Sequence, residues 1–436
     1  MVSFLHFPFI MNGPRKILFA ISYLVFSLLV GCSEPRPAPA DRLEGETMGT
    51  TYSVLVNHSK GKALLADLQN LVEDQLEKIN ASMSTYRTDS EISLFNQSTS
   101  TDWQPASQEL VEVIHKALEI SRHSNGAFDI TVAPLVNLWG FGPDGQPETI
   151  PDQHQIDQLL EHVGYQHLHC QREPPSIRKD TPLVQIDLSA IAKGYAVDQI
   201  CDLLHRQGFR DILVEIGGEL RATGVRPGKT PWQAGIESPR PGKRTVSREL
   251  VLADMALATS GDYRNFFVLG NRQYSHTIDP RTGWPVEHPV TSVSVLAESC
   301  MAADAWATAL MASPPDVAYD KASELKIAAS WIIRSNRELT SMESPHFEHL
   351  QPMESSKNMI WKVILASVVI FSLALAGMSI GVILGNRKLK GSCGGLANMK
   401  DDQGNPLCSM CETPPDDCPE LSKQAAAHES PAGTNT

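Results

Sequence analysis

Asp187-Leu-Ser-Ala190-Ile-Ala-Lys193-Gly194 stands where an apolar stretch of strand character, residues 183–188, meets a helical stretch, residues 193–205, that Gly208 closes. A lysine and a glycine at a helix start, together with its free N–H groups, suit a phosphate. The same residues also read as an ordinary helix entry, with Asp187 or Ser189 as N-cap. G-x-x-x-x-G-K-[ST] does not occur in the chain. On either side, residues 64–79 and 109–121 place apolar side chains at helical spacing, while 212–216 and 291–296 read as strands. These elements alternate without a repeated βαβ period, which points to a mixed α+β domain and away from a Rossmann fold.

Three further segments carry chemistry. Cys300-Met-Ala-Ala-Asp304-Ala-Trp-Ala-Thr308-Ala-Leu310 is Ala-rich and helical. Asp304 and Thr308 share a face there and offer two hard oxygens, which suit Mg²⁺ better than zinc. An Asp and a Thr on a helix face are more often simply solvated, but here their neighbours are Ala and Leu. His276-Thr-Ile278-Asp279-Pro-Arg-Thr-Gly283 marks a turn, with the histidine at a strand end as a general base or a structural hydrogen-bonding group. Glu215-Ile-Gly217-Gly218-Glu219 and Thr259-Ser260-Gly261 permit close backbone approach to a ligand, or mark plain bulges.

The 436-residue chain carries a net charge of −13, which excludes nucleic acid as a partner, because phosphate binding needs a basic face. Two apolar runs set the compartment. Residues 17–30 follow Arg15 and Lys16 and end in Leu29-Val30-Gly31-Cys32, so residues 1–31 read as a secretory signal, with translation starting at Met1 or Met11. Those four residues resemble the bacterial lipobox, which implies a lipid on Cys32, and 32–42 reads as a tether rich in Pro and Ala. Residues 363–384 carry no charge, so 359–385 is expected to span a bilayer as a helix, with Gly377 and Gly381 on one packing face. Lys357 and Lys362 precede this run and Arg387, Lys388 and Lys390 follow it, a bias that favours a cytoplasmic C-terminus. The expected order is a globular domain over 43–350, a linker over 351–358 within a polar stretch at 335–358, the span, a Cys-rich tail over 386–420, and a disordered end over 421–436. The expected location is the bacterial inner membrane, with the globular domain periplasmic.

In this order the segments resemble the ApbE family of flavin transferases. The likeness runs from Met48-Gly49-Thr50 to Trp331-Ile-Ile-Arg334. It takes in Ser84-Thr85-Tyr86-Arg87, Ser90-Glu91-Ile92-Ser93 and Gly126-Ala127-Phe128-Asp129-Ile130-Thr131-Val132. The resemblance implies an α+β domain with a mixed sheet that uses FAD as substrate, needs Mg²⁺, and moves FMN to a Ser or Thr hydroxyl of an acceptor protein. It sets Met48, Tyr86, Ala127, Phe128, Asp129, Asp187, Lys193 and Ile278 against FAD. It sets the Ala190 carbonyl and the Asp304 and Thr308 side chains on Mg²⁺, and gives His276 and Asp304 catalytic roles. Ala307 stands where some relatives carry a second acid or hydroxyl, so that contribution is missing. Two rival readings are an FAD pyrophosphatase, which would use water as acceptor, and a flavin-binding lipoprotein without chemistry. His276, Asp304 and Thr308 weigh against the second.

Cys393, Cys408, Cys411 and Cys418 are the only cysteines after the apolar run, and Cys408-x-x-Cys411 with two more nearby fits a four-thiolate site for zinc, iron or an iron–sulfur cluster. With Ser379-Ile-Gly381-Val-Ile-Leu-Gly385 and Gly391-Ser-Cys393-Gly-Gly-Leu396, this segment resembles NqrM, the maturation factor of the Na⁺-translocating NADH:quinone oxidoreductase. That resemblance implies iron delivery to the complex and makes its flavinylated subunits the expected acceptors. Cys201 occupies an apolar helix position and is expected to be buried. A Cys170–Cys300 disulfide is left open by the sequence.

Overall fold

The computed structural model describes residues 40–57, 63–143, 145, 149–239, 245–262, 266–269, 272–335, 338–351 and 357–384. The signal segment, Cys32, nearly all of the tether and the tail with Cys393, Cys408, Cys411 and Cys418 lie outside them. The chain divides into two compact units, residues 1–352 and 353–436.

The first unit is organised on one eight-stranded sheet. Its strands are β1 (Asp41–Thr47), β2 (Thr50–Val56), β3 (Ile212–Ile216), β4 (Glu219–Thr223), β5 (Met255–Gly261), β6 (Val290–Ala297), β7 (Ala328–Ser335) and β8 (Glu338–Glu343). They lie side by side in chain order, and every adjacent pair is antiparallel. The expected mixed sheet is thus corrected to an antiparallel one. Two-residue turns join β1 to β2 and β3 to β4, and such turns permit only antiparallel pairing. The β1 strand begins at Asp41, so Asp41 and Arg42 belong to the domain and not to the tether.

Four helices matter for the site: α1 (Ala63–Met83), α2 (Gln108–His123), α3 (Ala192–Arg206) and α4 (Cys300–Met311). Each contains its sequence-predicted stretch and extends beyond it. Side chains alternate across the strands. Val54, Ile212 and Val214 face Leu68, Val72, Ile114 and Ile200 on one side. Leu213, Leu220, Leu257 and Leu296 face Trp232, Ile236 and Leu250 of a smaller antiparallel sheet on the other.

Two local expectations fail for identifiable reasons. Residues 183–188 form no strand. Their backbone is bound by side chains instead: Asn96 exchanges two hydrogen bonds with Ile186, both at 2.8 Å, and the Lys179 ammonium donates to the carbonyls of Pro182 and Val184. The polar stretch from residue 335 is ordered as β8 and a helix, Pro345–Leu350, which buries Phe347 completely. An edge strand and a Ser-capped helix need few apolar residues, hence its linker-like composition.

The second unit contains helix α5 (Lys357–Leu384). Counted over its described side chains, 361, 363–377, 379 and 380, no helix is long and apolar enough to cross a membrane. Those side chains, Trp361, Leu365, Ile370 and Phe371 among them, are exposed.

Candidate active site

Two hairpin tips meet at one end of the large sheet. The β1–β2 turn is Met48-Gly49, at φ +49° and +69°. A two-residue turn with positive φ at both positions matches the strand twist, but a methionine there carries strain of about 1–2 kcal/mol. The β3–β4 turn is Gly217-Gly218, at φ +62° and +107°. Gly217 N–H donates to the Thr51 carbonyl at 3.0 Å, and a Cβ on Gly217 would meet Thr50 Cγ2 at 2.9 Å. The paired glycines thus form a hairpin turn, with Gly217 packed against the first tip. Glu219 opens β4 at this same end.

Helices α3 and α4 converge beneath the tips. Gly194 lies so near α4 that a Cβ would come within 2.3 Å of the Cys300 carbonyl oxygen. This closeness lets Gly194 N–H donate to Asp304 Oδ2 at 3.0 Å. One residue earlier, the Lys193 ammonium donates to Glu219 Oε1 at 2.5 Å. Thus Lys193, Glu219 and Asp304 form one cluster. Glu219 is 3% and Asp304 5% exposed, whereas 30% of the Lys193 side chain reaches solvent. Burial pushes the Glu219 carboxyl up to about 7, Asp304 adds to the rise, and Lys193 opposes it. Burial likewise raises Asp304, against the pull of Lys193 and the Gly194 N–H. Burial would lower the Lys193 ammonium, but the carboxylates of Glu219 and Asp304 outweigh it and hold it above the lysine range.

This cluster fits a hard divalent cation. Two carboxylates face one ammonium, and the buried Glu219 Oε2 has no hydrogen-bond partner. Thr308 follows Asp304 by one turn of α4, and Ala190 lies in the turn entering α3. One carboxylate, one hydroxyl and one carbonyl are oxygen donors of the kind Mg²⁺ takes. Among the described residues no group of three or more His, Cys, Asp or Glu is placed to hold a metal; this donor set is of another kind.

A second group of predicted residues gathers about Phe141 and its neighbours. Tyr86, 68% exposed, donates its hydroxyl to the Phe141 carbonyl at 3.3 Å, and the Phe141 ring meets the His276 ring edge-on at 6.3 Å. Partial burial raises the Tyr86 phenol, and the Asp187 carboxylate adds to it. Asp187 accepts from Ser189 N–H at 2.6 Å. Helix α3 starts after Ile191 with no side-chain cap, so neither Asp187 nor Ser189 is its N-cap. His276 directly follows the strand Arg272–Ser275, and Ile278 is buried with Trp139, Phe267 and Tyr274.

Three predicted flavin contacts turn inward. Ala127 and Phe128 are each 2% exposed. Asp129 Oδ1 accepts from Thr131 N–H and Oγ1 at 2.8 and 2.7 Å, and its Oδ2 from Tyr165 N–H at 2.5 Å. Burial raises its carboxyl against those bonds. The Asp129 carboxylate therefore ties its loop to the segment at Tyr165. Cys170, Cys201 and Cys300 are free thiols, with Cys201 and Cys300 fully buried. The sequence reading missed Glu219 as a charged member of the site; its place directly after the glycine pair was the available signal.

The ApbE family profile matches residues 48–331, and the profile for (Na⁺)-NQR maturation NqrM matches residues 382–431. The FAD:protein FMN transferase of Vibrio cholerae serotype O1 is 40% identical over 334 residues, covering 77% of this chain and 98% of that protein. The FAD:protein FMN transferase of Escherichia coli K12 is 36% identical over 337 residues, covering 76% and 95%. The structure of the flavin transferase ApbE from Vibrio cholerae aligns with TM-score 0.66 at 39% identity, over 72% of this chain and 100% of that one. The apo flavinyl transferase ApbE of Pseudomonas stutzeri aligns with TM-score 0.67 at 36% identity, over 73% and 99%. Both the profile and the solved structures cover the domain that carries the Lys193–Glu219–Asp304 cluster, and the chain belongs to the ApbE family.

Proposed function

We propose that this chain transfers the FMN half of FAD to a Ser or Thr hydroxyl of an acceptor protein. The buried Lys193–Glu219–Asp304 cluster, set under two glycine-bearing hairpin tips, carries this reading. The Lys193 ammonium attracts a pyrophosphate, and the exposed Tyr86 ring offers an aromatic face to a planar base. His276 accepts the proton of the attacking hydroxyl. A bond forms between that oxygen and the phosphorus bearing FMN, the bond to the AMP oxygen breaks, and AMP departs. Mg²⁺, held by the Ala190 carbonyl, Asp304 and Thr308, would supply neutralisation of negative charge on the pyrophosphate. The names of the relatives, FAD:protein FMN transferase, support the same reaction.

The NqrM match supports Na⁺-NQR subunits as acceptors, with iron or zinc carried on Cys393, Cys408, Cys411 and Cys418 for the same complex. The charge-free run at 363–384 and the lipobox-like residues before Cys32 support an inner-membrane protein with the ApbE domain periplasmic and the tail cytoplasmic.

The test uses the full chain in detergent with FAD, Mg²⁺ and a purified acceptor subunit, read by intact mass of that subunit. A gain equal to FMN, lost with EDTA, is the expected result. FMN and AMP released without a mass gain would establish FAD hydrolysis instead, and unconsumed FAD would establish flavin storage.

A further inference from the structure

Strand β4 turns Glu219 and Arg221 to the same side, two residues apart. Helix α3 meets them with Lys193 and Asp198. The Lys193–Glu219 pair belongs to the site already described, but Asp198 and Arg221 have no part in it. Asp198 receives four donors: Arg221 Nη1 at 2.9 Å, Ser299 Oγ at 2.8 Å, Cys300 N–H at 3.0 Å and Met301 N–H at 2.9 Å. Three of these come from the N-terminus of α4. A carboxylate of one helix therefore caps another, a favourable placement for negative charge. Asp304 and Thr308 lie one and two turns beyond the capped end, and the Gly194–Cys300 contact leaves no slack between the helices.

We propose that Asp198, held by Arg221, is a positioning residue that fixes the distance and rotation of α4 against α3, and thereby sets the cation affinity of Asp304 and Thr308. The inference rests on the proposed reading of those two residues as cation ligands. It concerns an aspartate and an arginine that touch neither FAD nor cation.

The test is Mn²⁺ binding to the full chain in detergent, followed by the free-Mn²⁺ resonance without FAD or acceptor, alongside FAD binding in EDTA and the thermal midpoint. Asp198→Asn keeps the shape but turns an amide N–H₂ toward N–H donors. It is expected to weaken Mn²⁺ binding about tenfold, the worth of one hydrogen bond to a charge, while FAD affinity in EDTA stays within about twofold. Ser299→Ala, which removes one donor of four, is expected to weaken Mn²⁺ about two- to threefold. A lowered thermal midpoint with Mn²⁺ affinity unchanged in both variants would overturn the proposal and leave Asp198 a stabilising cap only. If Asp198→Asn does not fold, Ser299→Ala decides alone: a weaker Mn²⁺ affinity sustains the proposal and an unchanged one overturns it. Wild-type chain that binds Mn²⁺ without transferring FMN would refute the proposed reaction and leave this inference standing. Wild-type chain that binds no Mn²⁺ would refute the inference.

Discussion

Replacing Gly194 by alanine would place a methyl group 2.3 Å from the Cys300 carbonyl oxygen and 2.8 Å from Asp304 Cβ. Both obstacles are fixed parts of α4, so no change of rotamer relieves them. Restoring an ordinary contact of about 3.4 Å requires α3 and α4 to part by about 1 Å. The same movement stretches the 3.0 Å bond from Gly194 N–H to Asp304 Oδ2 beyond hydrogen-bonding range. Overpacking costs about 1–3 kcal/mol, and the lost bond to a carboxylate about 1.5–3 kcal/mol. Alanine in a helix returns about 1 kcal/mol over glycine. The expected net loss of stability is about 1.5–5 kcal/mol. The effect on transfer is larger: about 1 Å of misplacement at a reacting centre lowers rate about 100-fold. The assay is the initial rate of FMN transfer at saturating FAD and Mg²⁺, with urea unfolding of the same samples. Gly218→Ala is the control, because no atom lies within 4 Å of its Cβ and only its φ of +107° opposes the change. A Gly194→Ala chain with the rate and stability of the wild type would refute the view that this contact positions Asp304.

Three other outcomes follow from the geometry. His276→Asn should leave FAD affinity within about twofold and lower transfer by about 10²–10⁴; unchanged transfer, measured by acceptor mass, would remove His276 as the base. Burial pushes the Asp262 carboxyl up to about 6, against the pull of Arg334 and a backbone hydrogen bond. The folded chain thus holds this proton more tightly than the unfolded one, whose value is about 3.9. The contribution of Asp262 is greatest below that value, declines as pH rises to about 6, and is flat above. Asp262→Asn should remove this decline and gain about 1–2 kcal/mol at pH 7, after discounting for partial exposure. Urea midpoints at pH 4.5 and 7 that fall in parallel for both chains would contradict it. Met48→Gly should relieve left-handed strain and gain about 1 kcal/mol, yet weaken FAD binding if, as the family resemblance implies, Met48 contacts the flavin; undiminished FAD affinity by fluorescence titration would exclude Met48 as a contact.

What could be read from the sequence was local. The helical spacing of α1, α2 and α3 and the strand at 212–216 follow from short-range patterning, and Gly217-Gly218 announced a backbone close to something. What escaped was set by residues far apart in the chain. Gly194 and Asp304 meet only when α3 packs on α4, and Asp198 caps a helix roughly a hundred residues away. No pattern near residue 198 signals that. The strand expected at 183–188 has strand composition, but its hydrogen bonds go to the side chains of Asn96 and Lys179. Asp129 is part of a segment that resembles a flavin contact, yet its carboxylate is consumed by Thr131 and by the N–H of the distant Tyr165.

Strain alone does not locate the site. Asn125, Lys229, Asp254 and Lys326 also hold positive φ, and all four are exposed turn residues, where such backbone is tolerated and asks for no explanation. Met48 differs because its turn abuts the second tip, and directly below lie two carboxylates that burial drives toward neutrality beside a lysine that stays charged. Burying such a group is unfavourable unless its oxygens are paired, and Glu219 Oε2 is left without a partner. A fold optimised only for stability would replace that cluster by apolar side chains, as it does along the rest of this face with Val54, Val214 and Ile200. The coincidence of strained turn, open backbone and an unpartnered buried carboxylate oxygen at one sheet end is therefore evidence that the end is kept for a ligand carrying phosphate and a cation.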